Sequence, residues 1–283
     1  MEFTEQLRVE VQRSVAASLA EDIGTGDLTA RLIPASRNAR GRVITREEAV
    51  LCGTAWFDAT FAALEPDASV IWHARDGERL KPGQLLCEVD ASARALLTAE
   101  RTALNFIQLL SGTATLTATF VAAVAGTKAK IVDTRKTLPG LRLAQKYAVR
   151  VGGGTNHRVG LYDGILIKEN HIIAAGSIKA VIEQARSYAP SNVFIEAEVE
   201  DLAQLDEALA AGAKMILLDN MDLDQMRAAV ALNDGRAELE ASGGVNLERV
   251  RAIAETGVDR ISIGSLTKDL RAIDLSLRHV EEE

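Results

Sequence analysis

The chain is predicted to be an α/β protein of two domains, a small N-terminal open-sheet (sandwich) domain followed by a parallel α/β barrel. Three observations carry this prediction. Residues 40–90 hold short alternating runs punctuated by Asp76-Gly77 and Pro82-Gly83, the pattern of strands and hairpins. Later in the chain six short apolar runs each give way to a polar turn and then a helical pattern. Strands alternating with helices build a parallel sheet, and six such units make a closed or nearly closed barrel. Polar groups also stand in phase at the C-terminal end of every one of these runs, the face on which parallel barrels place their sites.

Taken in order, Phe3, Leu7, Val11, Val15 and Leu19 recur at four-residue spacing and predict an amphipathic helix over 3–20 that ends near Gly24 and Gly26. The runs GRVITREEAVLCG, SVIWHARDGERL and GQLLCEVD read as strands. From Ser92 to about Ala125 the chain is rich in Ala, Leu and Thr and reads as helix, with a break at Ser111-Gly112 that sets the domain boundary. This gives domains over 1–110 and 111–267, with a C-terminal helix over 268–283 packing back on the first. The barrel strands are AKIVD, GILIK, VFIEAEV, KMILLD, AELEA and VDRISIG.

Composition bounds the function. The 283 residues are 47% hydrophobic and 25% charged with a net charge of −8, which excludes disordered and fibrous classes. An acidic total disfavours nucleic-acid and membrane partners, since both need a basic surface. No stretch reads as the roughly 18 apolar residues of a membrane span, and MEFTEQLRVEVQ is too charged for a signal peptide, so a cytoplasmic location is expected. Cys52 and Cys87 match no disulfide framework or zinc spacing and read as small core residues.

The charge is unevenly placed. Lys128, Lys130, Arg135, Lys136, Arg142, Lys146, Arg150, Arg158 and Lys168 share one segment with only Asp133 and Asp163. A cationic pocket in an acidic protein suits a small polyanion. Arg142, Lys146 and Arg150 also fit the solvated face of a helix. Ser242-Gly243-Gly244 leading into LERVRAIAET, and Gly264-Ser265 after the last run, are candidate anion sites, because glycines expose backbone N–H groups at helix starts. Each alone is also an ordinary capped turn. Gly152-Gly153-Gly154 lacks the flanking strand and helix of a dinucleotide fingerprint.

The segment DTRKTLPGLRLAQKYAVRVGGGTNHRVGLYDGILIKENH, over 133–171, resembles the quinolinate phosphoribosyltransferase family. The resemblance runs through EDIGTGDLT, ERTALNFIQLLSGTATLT, EAEVE, LLDN, ASGGV and IGSLT, hence the full chain. It implies the open α/β domain plus α/β barrel of the type II phosphoribosyltransferases. The implied reaction moves the phosphoribosyl group of phosphoribosyl pyrophosphate to the ring nitrogen of quinolinate. Pyrophosphate and carbon dioxide are lost, and nicotinate mononucleotide forms for NAD biosynthesis.

By motif position the resemblance implies that Thr134, Arg135, Lys136, His157, Arg158 and Lys168 bind substrate. It assigns Glu198 and Asp219 to the ribose and the magnesium of the pyrophosphate, through substrate or water, and Ser242, Gly243, Gly244, Gly264 and Ser265 to phosphate. Lys136, Lys168, Glu198 and Asp219 are the implied catalytic set, and Mg2+ the cofactor. Arg101 is implied to reach the site from the partner subunit of a homodimer, with hexamers the alternative assembly. Glu196 and Glu198 are expected to face opposite ways, and the resemblance alone selects Glu198. His171 is left as a helix cap, His73 and His279 as surface residues, and Trp56, Trp72 and Phe106 as packing. Leu138, Gln145 and Glu169 depart from the family's usual Thr, Glu and Asp. Rival readings are a molybdate-associated paralogue, a non-catalytic nucleotide-binding protein of the same fold, and a Schiff-base barrel enzyme using Lys168.

Overall fold

The computed structural model describes residues 4–280, so Phe3 of the N-terminal pattern lies outside the described residues. The chain divides into two compact units, residues 1–118, 138–153 and 269–283 forming one and residues 119–137 and 154–268 the other. Relative to the expected domains of 1–110 and 111–267, segment 138–153 joins the first unit, as the residues after 268 were expected to.

In the first unit, helix α1 (Glu5–Ile23) is capped by the Thr4 side chain, which accepts from Leu7 N at 3.3 Å. Its Leu7, Val11, Val15 and Leu19 are buried in one cluster with Trp56, Phe106 and Leu110, as the four-residue spacing requires. Strands β1 (Asn38–Thr45), β3 (Ser69–Trp72) and β5 (Leu85–Ser92) form an antiparallel sheet, and β2 (Ala49–Val50) pairs with β4 (Arg79–Leu80). Helix α2 (Thr54–Leu64) supplies Phe57 and Phe61 to the sheet's core. Cys52 and Cys87 are buried free thiols, as small core residues should be.

Helix α3 (Ala93–Ala123) runs unbroken through Ser111-Gly112, against the expected break. The reason lies in packing. Ser111 Oγ accepts from Cys52 N at 2.9 Å and donates to Cys52 O at 3.1 Å. A Cβ on Gly112 would lie 2.3 Å from Arg271 O. These small residues let another backbone approach the helix; they do not end it. Gly112→Ala is expected to destabilise the protein by about 3 kcal/mol, read as a lowered urea midpoint, whereas the exposed Gly83→Ala, at φ 81 with open space around it, is expected to cost about 1 kcal/mol. Helix α3 also contains an 18-residue window of mean hydropathy 1.4, a correction to the expectation that no stretch is apolar enough to span a membrane. Half of that window is buried inside the protein, and Leu96, Ala103, Leu104 and Ile107 belong to the core of the first unit.

Helix α4 (Arg142–Val151) belongs to this unit too. Its Lys146 is 2% exposed, so the basic spacing of Arg142, Lys146 and Arg150 is not a solvated face. The C-terminal residues form a strand, Leu275–Val280, numbered β12 in chain order, which pairs antiparallel with β1 and completes the order β12-β1-β5-β3. This overturns the C-terminal helix over 268–283. Leu275, Leu277 and the polar residues between them alternate with the period of a strand, and β1 offers an edge to pair with.

The second unit is a parallel sheet of β6 (Lys130–Val132), β7 (Gly164–Ile167), β8 (Phe194–Val199), β9 (Met215–Asp219), β10 (Glu238–Ser242) and β11 (Arg260–Ser262). All six expected runs are present. The order is β6-β11-β10-β9-β8-β7, so β6 and β7 are the edges, and the free side of β6 is met by a parallel bridge between Val132 and Thr155. The barrel is thus nearly closed. Helices α5 (Glu169–Ala175), α6 (Ile178–Tyr188), α7 (Leu202–Ala210), α8 (Leu223–Asn233), α9 (Leu247–Ala254) and α10 (Ser265–Lys268) follow the strands. Ser177, Asp201, Asp222 and Asn246 cap α6 to α9 through side-chain oxygens, which sets where each helix starts. Lys128 and Lys130 stand at the opposite end of β6 from Arg135 and Lys136, and Lys128 is paired with Asp259 at 2.6 Å, so they are not part of one cationic mouth.

Candidate active site

Every expected site residue except Arg101 lies in the second unit; all but His157 and Arg158, which precede β7, stand at or just beyond the C-terminal end of a strand. Arg101 is exposed on α3 in the first unit. The strands deliver their ends in register: Asp219 is the partner of Ser242, and Val132 of Ser262.

Beyond β6, the fully buried Asp133 accepts from His157 N at 2.7 Å through Oδ1 and from Asn156 Nδ2 at 2.6 Å through Oδ2. A buried carboxylate satisfied by two donors is a strong clamp, and it fixes the Asn156-His157-Arg158 turn to the strand end. His157 is itself 9% exposed, with its ring edge-on to Phe194 at 5.4 Å. Its Nδ1 accepts from Arg158 N at 2.8 Å. The ring hydrogen is therefore assigned to Nε2, which donates to Glu196 Oε2 at 2.7 Å. Both ring nitrogens are engaged within the chain, so His157 anchors the arginine beside it rather than presenting a nitrogen to a ligand.

That arginine, Arg158, donates from Nη1 to Gly164 O at 3.1 Å. Burial, and then the positive charge of Arg135, lower its pKa below the usual arginine range. Two guanidinium groups are thus held close enough to repel, and a ligand bearing two carboxylates would relieve the cost bidentately.

Lys136 is exposed and lies along Gly264, where a Cβ would come within 2.9 Å of Lys136 Cδ. Its backbone is held by Thr134 Oγ1, which accepts from Lys136 N at 3.0 Å, and by Thr267 Oγ1, which donates to Lys136 O at 2.7 Å. Lys168 Nζ donates to Glu198 Oε2 at 2.7 Å, and His171 Nδ1 accepts from Lys168 N at 2.9 Å, the capping role expected for it. Gly243 has φ 101 and Gly244 φ 59. A Cβ on Gly243 would lie 2.1 Å from Asn220 Oδ1. Asn220, itself at φ 55, donates from N to Ser242 O at 3.0 Å and from Nδ2 to Asp219 Oδ2 at 2.8 Å. Gly243 is required by Asn220 as well as by any anion.

Glu196 and Glu198 do not face opposite ways. Residues two apart on a strand share a face, and here both point to groups flanking β7, Glu196 to His157 and Glu198 to Lys168. Glu196 is fully buried, Glu198 only partly. Among residues to which the sequence reading gave no site role, Asp133, Asn156 and Asn220 hold the site's turns, and Glu240 on β10 lies 3.8 Å from His157 Nε2. The available signal was a charged residue inside an otherwise apolar strand, as in FIEAEV and ELEAS. Leu138 and Gln145, two departures from the family pattern, meet: Leu138 N donates to the Gln145 side chain at 2.8 Å.

His157, Glu196 and Glu240 place potential metal-ligand atoms within 4.8 Å of one another, but an Nε2 that carries hydrogen has no lone pair for a metal. Glu198 and Asp219, by contrast, are carboxylates on adjacent strands β8 and β9 at the open ends. Oxygen donors of this kind suit magnesium.

Fold and site together define an α/β protein with basic side chains and glycine turns at the strand ends of its parallel sheet. Residues 27–111 match the family model of the quinolinate phosphoribosyl transferase N-terminal domain and residues 113–278 that of its C-terminal domain. The chain belongs to the quinolinate phosphoribosyltransferase family. It is 46% identical over 274 residues to a Mycobacterium leprae protein named nicotinate-nucleotide pyrophosphorylase (carboxylating), covering 93% of this chain and 95% of that one. A Bacillus subtilis protein with the probable form of that name is 45% identical over 257 residues, 91% of this chain and 89% of the other. The solved nicotinate-nucleotide pyrophosphorylase of Francisella tularensis superposes with a TM-score of 0.94 at 45% identity, covering 96% of this chain and 97% of that one.

Proposed function

We propose that this chain transfers the phosphoribosyl group of phosphoribosyl pyrophosphate to the nitrogen of quinolinate, releasing pyrophosphate and carbon dioxide and forming nicotinate mononucleotide for NAD biosynthesis. The observation that carries the reading is the Arg135 and Arg158 pair, two like charges held together behind the Asp133 clamp. Quinolinate offers two adjacent carboxylates to that pair. Lys136 and the backbone N–H groups of Gly243, Gly244, Gly264 and Ser265 hold the phosphates, with the Ser242 and Thr134 hydroxyls beside them.

Magnesium, when bound, would neutralise charge on the departing pyrophosphate, with Glu198 and Asp219 holding it directly or through substrate and water. The ring nitrogen attacks the ribose C1 as the bond to pyrophosphate breaks. Glu198 and Asp219 favour the positive charge that develops on the ribose, while Lys136 and Lys168 favour the negative charge on the leaving oxygens. The cationic nitrogen then stabilises the electron pair left on the adjacent ring carbon when the neighbouring carboxylate departs as carbon dioxide, and that carbon takes up a proton with the pair. The protein's contribution is positioning and electrostatics. Arg101, exposed on α3, completes the site from the partner subunit of a homodimer in this reading.

Purified protein given quinolinate, phosphoribosyl pyrophosphate and magnesium is expected to release nicotinate mononucleotide, and to release none when nicotinate replaces quinolinate. No product from folded, dimeric protein with either acceptor would overturn the reading in favour of the molybdate-associated paralogue.

A further inference from the structure

The interior of the second unit holds a charged cluster that the proposed chemistry does not use. Glu196 on β8 and Glu240 on β10 are both fully buried, and each leaves its Oε1 buried without a hydrogen-bond partner among the described residues. Their carboxylate oxygens and His157 Nε2 lie within 4.8 Å of one another. The cations facing Glu240 number few. Arg260 on β11 donates from Nε to its Oε2 at 2.8 Å, and shares itself with Glu238 at 3.8 Å; the Ser262 hydroxyl also bonds Glu240. Asp133, just beyond β6, adds a further carboxylate that accepts from the His157 backbone N–H.

Two ionised carboxylates at this separation in a dry interior would repel strongly. The His157 tautomer supplies the rest of the argument. Because Nδ1 takes the Arg158 N–H, Nε2 offers a hydrogen, and one carboxylate suffices to accept it. The second carboxylate has Arg260 on its Oε2, but its Oε1 lies 3.8 Å from His157 Nε2 with no donor of its own among the described residues, and there an ionised group repels Glu196 unless it carries a proton.

We propose that Glu240 is a positioning residue for the dicarboxylate-binding arginine. Held as a neutral acid, it leaves Glu196 as the sole carboxylate beneath His157 and so fixes the ring, the Arg158 backbone and the Arg158 guanidinium in line. Burial, and then the charge of Glu196, push the Glu240 carboxyl up to about 7, in agreement with this geometry. The inference rests on the proposed substrate, since it is the arginine's ligand that would sense the change. The sign follows: as pH rises through neutrality Glu240 loses its proton, the pair repels, and quinolinate binding weakens.

Three measurements on the full-length dimer test it. The infrared spectrum of the wild-type protein without substrate is expected to show a protonated-carboxyl carbonyl band that titrates away near neutrality and is missing from Glu240→Gln. The wild-type KM for quinolinate is expected to rise about tenfold between pH 6 and pH 9 with the KM for phosphoribosyl pyrophosphate unchanged. Glu240→Gln, a permanently neutral isostere, is expected to keep the low-pH KM within about twofold and to abolish the rise. A purely structural Glu240 would give no such rescue. Absence of the carboxyl band, or an equal rise of KM with pH in Glu240→Gln, would overturn the inference. Lack of any quinolinate turnover by folded wild-type protein would overturn the substrate reading and the positioning role with it, while the band, read without substrate, would still show whether Glu240 is neutral.

Discussion

Arg158→Ala lowers kcat/KM for quinolinate by about a thousandfold, roughly 4 kcal/mol of lost transition-state stabilisation, and leaves the fold intact. The fold survives because, among the described residues, the side chain donates a single hydrogen bond, to Gly164 O, while the backbone N–H that holds His157 Nδ1 is unchanged by the substitution. Removing one of two repelling guanidinium groups also relieves Arg135, so thermal stability stays within about 1 kcal/mol of the parent. Arg158→Lys recovers little, since an ammonium lacks the planar fork that meets a carboxylate twice. Calorimetric titration with quinolinate checks both halves: unaltered affinity in a folded Arg158→Ala protein would remove Arg158 from the pocket.

Mixing Arg101→Ala subunits with Lys168→Ala subunits, each inactive alone, restores about a quarter of the parental activity. The figure follows from symmetry. Random reassortment makes half the dimers mixed, and in each of these one site is complete and the other lacks both groups. The expectation depends on Arg101, exposed on α3 in the first unit, being supplied across the proposed homodimer. Lys168, paired with Glu198, is supplied by the site's own chain. Mixed dimers isolated with two affinity tags and found inactive would contradict a shared site.

Local patterns carried most of the fold. The six barrel runs, the α1 stripe and the alternating segments of the small sheet were readable because periodicities of two and near four are written in consecutive residues. Features set by distant partners were not. Gly112 reads as a helix breaker until Arg271 O is seen against it, and 275–280 pairs with a strand more than two hundred residues earlier. Lys146 reads as a surface residue on spacing alone, yet is buried. The site divides in the same way. Strand-end residues such as Lys168, Glu198 and Asp219 fall out of the strand pattern, and the family resemblance supplied their roles. The supports, Asp133, Asn220, Glu196 and Glu240, act through contacts with residues distant in sequence, and no single stretch of sequence shows those contacts.

The pairing of Arg40 with Val280 has a consequence for the order in which the protein can be made. The small sheet begins near residue 38 and is finished by residues some 240 positions later in the chain. At roughly 5–20 residues per second the free edge of β1 waits about 10–50 s for its neighbour, during which the whole parallel sheet can emerge and fold. The unit whose synthesis starts before the parallel sheet is therefore completed after it. A nascent chain stalled or truncated before residue 275 would carry an open strand edge into the cell, where an unpaired edge is a template for aggregation.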